Sequence, residues 1–114
     1  MMRLYGIKSC DTVRKARNFL ASCNQAYDYH DFRLDGLQAD KLQEWINAVG
    51  WKTLLNTRST SWRQLEDSQK QGLDDEKAQA LMLENPTLIK RPVLESKGQQ
   101  VVVGFKQAEY QQLC

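Results

Sequence analysis

The feature that most constrains this chain lies in its first thirty-two residues, where a short apolar run, a helical pattern and an alternating run follow one another directly. Arg3-Leu4-Tyr5-Gly6-Ile7 reads as a strand. Thr12 through Ser22 reads as a helix, with Val13, Ala16, Leu20 and, one position offset, Phe19 forming one apolar stripe. Arg14, Lys15, Arg17 and Asn18 fall on its other faces. Ala26-Tyr27-Asp28-Tyr29-His30-Asp31-Phe32 then partly alternates large apolar and polar side chains at period two, a strand signature. A helix of about eleven residues joining two strands predicts a βαβ unit with parallel strands and a right-handed crossover.

Cys10 stands at the strand-to-helix junction. The first free backbone N–H groups of a helix converge there and stabilise an anion, so a thiol at that point ionises more readily than a free one. The thiolate is the nucleophile, so the position bears on reactivity. The bland alternative is a small buried hydrophobe. Asp11 or Thr12 is the expected N-cap. Arg14, one helical turn on, adds positive potential and Asp11 opposes it; which dominates depends on geometry. A C-x-x-C dithiol would need a second cysteine three residues after Cys10, where Val13 stands. Exchange at Cys10 must then be resolved by an external thiol or a distant cysteine, a monothiol mechanism.

The other two cysteines do not suggest a disulfide framework. At about 1.5 Å per residue, an α-helix puts Cys10 and Cys23 roughly 18–20 Å apart. A disulfide needs Cα atoms within about 7 Å. Cys114 reads as an unpaired thiol at a frayed end, although a terminal cysteine is free to move toward a partner.

Three helical patterns follow. One runs from about Gln38 to Val49, with Leu42, Trp45, Ile46 and Val49 on one face and Gly50 ending it. A short one begins at Trp51, Leu54 and Leu55. The third runs from about Asp74 to Glu84, with its acidic residues at the end where the helix dipole favours them. Trp45, Trp51 and Trp62 are expected to pack this region. Val93-Leu94-Glu95 and Gln100-Val101-Val102-Val103-Gly104-Phe105, separated by a turn at Ser96-Lys97-Gly98-Gln99, predict an antiparallel hairpin, and Gln107 to Leu113 a last helix. This order reads as α/β, a thioredoxin-like fold with a helical insertion: one domain over 1–114, with core 1–33 and 87–114 and insert 34–86.

Composition excludes several function classes. Apolar residues make up 41% and charged residues 26%, as in ordinary soluble domains. No run approaches a membrane span, and the start has no long apolar signal region, so no membrane association and a cytoplasmic location are expected. The net charge of +2 is interspersed, which argues against direct nucleic-acid binding. Arg58 and Arg63, and the pair Lys90-Arg91, would form an anion-attracting patch if their segments met; a solvated surface is the other reading. His30, the only histidine, lacks metal-ligand companions and is expected to be hydrogen-bonded or half exposed. There is no Gly-rich phosphate loop and no support for a serine triad.

Tyr5-Gly6-Ile7-Lys8-Ser9-Cys10-Asp11-Thr12-Val13-Arg14-Lys15-Ala16 resembles the opening motif of the arsenate reductase-related (ArsC/Spx/YffB) family. Leu54-Leu55-Asn56-Thr57-Arg58-Ser59-Thr60-Ser61-Trp62-Arg63 and Asn85-Pro86-Thr87-Leu88-Ile89-Lys90-Arg91-Pro92-Val93-Leu94 are similar to its two later motifs, and Val103-Gly104-Phe105 to its ending. The match is nearest the YffB branch, whose members resemble glutathione-dependent thiol reductases. The resemblance implies that Cys10 is the nucleophile and Arg91 an anion-binding arginine. Pro92 matches the proline that such folds hold in cis beside the active cysteine. Arg58 stands in a motif whose basic residue shifts between branches. Lys8 and Arg14 join the expected substrate- and glutathione-binding residues.

Glutathione is then a co-substrate, with no bound cofactor or metal. Arsenate reductases of this type carry a further arginine near the last strand, and residues 100–105 have none, which argues against arsenate as substrate. The Spx branch implies an alternative, a regulator that binds RNA polymerase without catalysis; Val13 removes its usual dithiol switch.

Overall fold

The computed structural model describes residues 2–8, 10–96 and 100–113. Strand β1 (Met2–Gly6) leads into helix α1 (Asp11–Ser22), which returns to strand β2 (Tyr27–Asp31). The two strands are parallel, with Leu4 opposite Tyr29 and Gly6 opposite Asp31, so the βαβ unit forms as its periodicities demand. Strand β3 (Val93–Glu95) lies antiparallel on the other side of β1, with Tyr5 opposite Val93, and strand β4 (Val101–Val103) is antiparallel to β3. Among the described residues the sheet order is β2-β1-β3-β4, in an α/β, thioredoxin-like architecture.

The chain divides into two compact units, one made of the residues up to Gly36 with those from Arg91 onward, the other of Leu37–Lys90. In the first, Met2, Leu4, Leu94 and Val102 project from one sheet face onto Ala16 and Leu20 of α1 and Tyr110 of helix α8 (Gln107–Gln111). The pattern is what alternation along strands and a 3.6-residue period along α1 select. Phe19, Phe105 and Tyr110 close this core edge to face, with Phe105 and Tyr110 centroids 4.8 Å apart.

Some boundaries differ from the sequence reading. Strand β2 stops at Asp31 because its carboxylate caps a short helix, α2 (Phe32–Asp35), so Phe32 leaves the strand. Strand β4 stops at Val103 because Gly104 takes a φ of 79° and donates its N–H to the Pro92 carbonyl at 2.8 Å. A side chain disfavours that backbone conformation. Ser96 N–H meets the Gln100 carbonyl at 2.9 Å across the hairpin end, while the expected turn residues 97–99 lie outside the described residues.

In the second unit, helices α3 (Ala39–Val49), α4 (Trp51–Leu54) and α7 (Asp75–Glu84) surround a core of Leu42, Trp45, Ile46, Leu54, Leu55, Ala78, Leu81 and Met82, with Leu88 and Ile89 from the turn of 3-10 helix at Pro86–Leu88 and its exit. Two four-residue helices, α5 (Thr60–Arg63) and α6 (Asp67–Lys70), were not foreseen. They rest on local caps rather than an apolar stripe: Ser59 Oγ accepts from Trp62 N at 3.1 Å, and Glu66 and Gln69 form a reciprocal box. Trp45 is fully buried, whereas Trp51 and Trp62 are half-buried beneath the ammonium groups of Lys52 and Lys70.

One cysteine reading is corrected. Cys23, at the C-terminal cap of α1, is disulfide-bonded. The length of α1 separates it from Cys10 but does not prevent it from bonding elsewhere. The reading of Cys114 lies outside the described residues. No helix among the described residues is long and apolar enough to cross a membrane.

Candidate functional site

Cys10 is itself the N-cap of α1, with extended backbone (φ −89°, ψ 125°), in place of the expected Asp11 or Thr12. Its N–H donates to the Ile7 carbonyl at 3.1 Å, and its carbonyl accepts the first helical bond from Arg14 at 3.1 Å. The thiol makes no capping bond and is free and half-buried. It therefore stands at the positive end of the helix dipole, where a thiolate gains most. Asp11 and Arg14, the two charges of opposite effect, are paired with each other at 2.7 Å. Both side chains are mostly exposed, 78% and 70%, so the pair is weak and largely cancels its own field.

The loop before Cys10 is held by a residue the sequence reading passed over. Asp31, 3% exposed, accepts the Lys8 N–H at 3.0 Å through Oδ2, and the Arg33 and Leu34 N–H groups at 2.7 and 3.3 Å through Oδ1. Burial acts to raise its carboxyl pKa, but the N–H groups of Arg33, Lys8 and Leu34, with the Arg33 charge, outweigh burial and hold it below the usual carboxylate range. An Asp followed five residues later by Gly36 around a short segment is a helix start and stop signal that marks the cap in the sequence. The Lys8 ammonium lies on an exposed residue, so the loop is fixed through the Lys8 backbone.

The β1–β3 register brings Arg91 and Pro92 to the same end of the sheet. The pairing ends at Tyr5 opposite Val93, so Pro92 and Arg91, the two residues that lead into β3, come just beyond the ladder at the end of β1 from which the chain goes on to Cys10. The Arg91-Pro92 peptide bond is cis. Arg91 is half-buried, and its Nε and Nη1 are buried with no hydrogen-bond partner among the described residues.

Arg58 lies in the second unit, exposed, on a loop where its N–H meets Asn56 Oδ1 at 3.1 Å. Leu55 and Ile89 form an antiparallel bridge; Asn56 N–H meets the Leu88 carbonyl, and Lys90 N–H the Leu54 carbonyl, each at 2.7 Å. The two segments do run side by side, which puts the loops carrying Arg58 and Lys90 next to each other. His30 Nε2 donates to the Gly36 carbonyl at 2.6 Å, and the described residues contain no His/Cys/Asp/Glu cluster fit for a metal.

The ArsC family model matches residues 5–113. The chain belongs to the ArsC family. A solved structure of the YFFB (PA3664) protein superposes on this ArsC-family chain with a TM-score of 0.95 at 45% identity, covering 99% of this chain and 98% of that one. An arsenate reductase (ArsC) related protein from Brucella melitensis gives 0.78 at 40% identity over 97% and 92%. The global transcriptional regulator Spx of Streptococcus agalactiae is 27% identical over 111 residues, spanning 96% of this chain and 80% of Spx. The chain is thus similar both to an arsenate reductase-related protein and to a transcriptional regulator.

Proposed function

We propose that this ArsC-family protein is a glutathione-dependent monothiol oxidoreductase of the cytoplasm, with Cys10 as its nucleophile. The observation that carries the reading is the Arg91 guanidinium, two of whose nitrogens, Nε and Nη1, are buried and unpartnered among the described residues. Leaving such donors unpaired is costly, and an anionic acceptor relieves that cost by charge-assisted bonds. A glutathione carboxylate is such an acceptor, and Arg91 precedes by two residues Val93, which pairs with Tyr5 near the end of β1.

The Cys10 thiolate attacks the glutathione sulfur of a mixed disulfide. The sulfur–sulfur bond breaks, the substrate leaves as a thiolate, and Cys10 becomes bonded to glutathione. A second glutathione thiolate attacks that glutathione sulfur, giving oxidised glutathione and restoring the Cys10 thiolate. One glutathione thiolate is consumed and supplies the electron pair that frees the substrate thiolate, while the glutathione that the substrate carried leaves as the other half of oxidised glutathione; no bound cofactor or metal takes part. Val13 leaves no neighbouring thiol to compete for the intermediate. Lys8 and Arg14 add positive charge for an anionic tripeptide.

Intact-mass spectrometry after treatment with oxidised glutathione tests this. Wild type gains one glutathione and Cys10→Ser gains none; an adduct that persists on Cys10→Ser overturns the reading. Arg91→Ala slows adduct formation about tenfold or more with oxidised glutathione but not with an uncharged disulfide, as expected when a charge-assisted contact is lost. The likeness to Spx favours a second reading, a regulator that binds RNA polymerase. Specific retention of RNA polymerase subunits from lysate, without turnover of disulfides, would support it instead.

A further inference from the structure

Among the described residues Leu34 is the one large apolar side chain left exposed, at 80%. An exposed leucine by itself needs no explanation. What sets this one apart is the construction beneath it. Helix α2 is a single turn, and bonds from several sides fix it. Asp31 Oδ1 accepts the Arg33 and Leu34 N–H groups at 2.7 and 3.3 Å, and Asp35 Oδ2 accepts the Asp31 N–H at 3.0 Å. The Gly36 N–H closes on the Phe32 carbonyl at 3.1 Å, and His30 Nε2 donates to the Gly36 carbonyl at 2.6 Å. Phe32, 3% exposed, anchors the turn, its ring centroid 6.3 Å from that of Tyr5. A rigid turn thus presents an apolar side chain to solvent, which lowers the entropic cost of binding through it.

This turn stands beside the loop that carries the nucleophile. Gly6 and Asp31 are opposite each other in the parallel β1–β2 pair, so α2 and the Cys10 loop leave the same edge of the sheet. Ligands of parallel strands bind beyond those carboxyl ends. The two segments are also tied directly. The carboxylate that holds the Leu34 N–H holds the Lys8 N–H at 3.0 Å, two residues before Cys10. Of the charged groups here, Asp31 is buried and Asp35 is bonded to the Asp31 N–H, while Lys8 and Arg33 are exposed and have no ion pair among the described residues.

We propose that Leu34 and Arg33 form a specificity site for the protein half of the mixed disulfide. The preferred substrate is then a glutathionylated protein whose cysteine is flanked by an apolar and an acidic residue. The substrate's apolar side chain covers Leu34, and its carboxylate pairs with the Arg33 guanidinium. The inference rests on the proposed function and names its substrate class; the chemistry is unchanged. The Cys10 thiolate bonds to the glutathione sulfur, the bond from that sulfur to the protein breaks, and the electron pair leaves on the protein's sulfur as a thiolate.

Transfer of glutathione to Cys10, followed as added mass on the intact protein, tests this with two kinds of donor. One is a synthetic peptide with leucine and glutamate on each side of a glutathionylated cysteine. The other is oxidised glutathione, whose leaving half carries no apolar residue. Wild type should react about tenfold faster with the leucine peptide than with a version carrying serine in its place. Leu34→Ser, at an exposed position, should slow transfer from the leucine peptide about five- to tenfold and leave transfer from oxidised glutathione unchanged. Arg33→Gln keeps the N–H that Asp31 holds and should slow the glutamate peptide about threefold, but not a glutamine version. Equal wild-type rates on the leucine and serine peptides, or a preference that survives Leu34→Ser, overturns the proposal. Equal slowing of Leu34→Ser with both donors overturns it as well, since that marks a purely structural effect. So does a wild-type dimer, seen by light scattering, that Leu34→Ser dissolves, because a second copy would then occupy Leu34. Failure of the proposed function looks different: Cys10 then gains no glutathione from either donor.

Discussion

A β-carbon built on Gly6 would stand 2.6 Å from Cγ2 and 3.0 Å from Cγ1 of Val13, so β1 and the first turn of α1 meet with no atom to spare. Val13 is 1% exposed and β-branched, with one strongly preferred rotamer in a helix, and it does not yield easily. The contact therefore fixes how closely the helix that begins at Cys10 approaches the end of β1.

Gly6→Ala should destabilise the protein by about 1–3 kcal/mol, the usual cost of forcing extra volume into a packed site. Urea denaturation measures it. The double variant Gly6→Ala, Val13→Ala should show a smaller loss than the two single losses added together, because each change makes room for the other. A Gly6→Ala midpoint equal to wild type would refute the close contact.

Asp31 should make part of the stability acid-sensitive. Its folded pKa lies below that of the unfolded chain. Its contribution is thus fully present above the ordinary carboxylate value of about 3.9 and lost as pH falls through the lower folded value. Asp31→Asn removes the charge but keeps the shape. At neutral pH it should cost about 2–4 kcal/mol, since a charged acceptor of three backbone N–H groups becomes a neutral amide. Urea midpoints taken from neutral pH down to about pH 2 should converge for wild type and variant as the acid protonates Asp31. A constant gap across that range would contradict the depressed pKa.

These residues also show what the sequence makes legible. Val13, Ala16 and Leu20 repeat at helical spacing and Tyr27, Tyr29 and Asp31 at strand spacing, so the βαβ unit and the address of Cys10 follow from local pattern. Period two puts Tyr29 on one face of β2, but it does not say that the Arg17 guanidinium lies over its ring. Nor does it say that Asp31 reaches back to the Lys8 N–H, because that bond joins positions twenty-three apart in the chain. The short helices α5 and α6 escaped for the opposite reason: they are held by local side-chain caps and carry no apolar stripe to detect.

Tyr110 offers the alkaline counterpart of Asp31. Its hydroxyl is buried and unpartnered among the described residues, and burial, followed by Glu109, pushes its pKa well above the usual tyrosine value. The unfolded chain ionises near pH 10 while the folded phenol does not, so its contribution is present below about pH 10 and lost as pH rises beyond it. Tyr110→Phe should leave stability at pH 7 unchanged or slightly higher, since it removes an unpaired polar atom. It should also blunt the loss of stability above about pH 10. Thermal melts at both pH values check this, and a variant much less stable at pH 7 would show that the hydroxyl is bonded after all.

Val13→Cys tests whether one side chain makes this a one-thiol site. Residues three apart in the first turn of a helix are neighbours, and Val13 stands at that spacing from Cys10, on the buried face of α1. Cysteine is smaller than valine, so it relieves rather than worsens the contact with Gly6. In oxidised glutathione, wild type should accumulate the Cys10 adduct. In the variant, the new thiolate should attack the Cys10 sulfur, expel glutathione as a thiolate and leave an internal disulfide, two hydrogens lighter than the reduced protein. Burial raises a thiol's pKa, so release should quicken with pH. An adduct that persists on Val13→Cys as long as on wild type would mean that the two sulfurs cannot meet, and that the single-thiol chemistry is fixed by the geometry of the turn rather than by the residue at position 13.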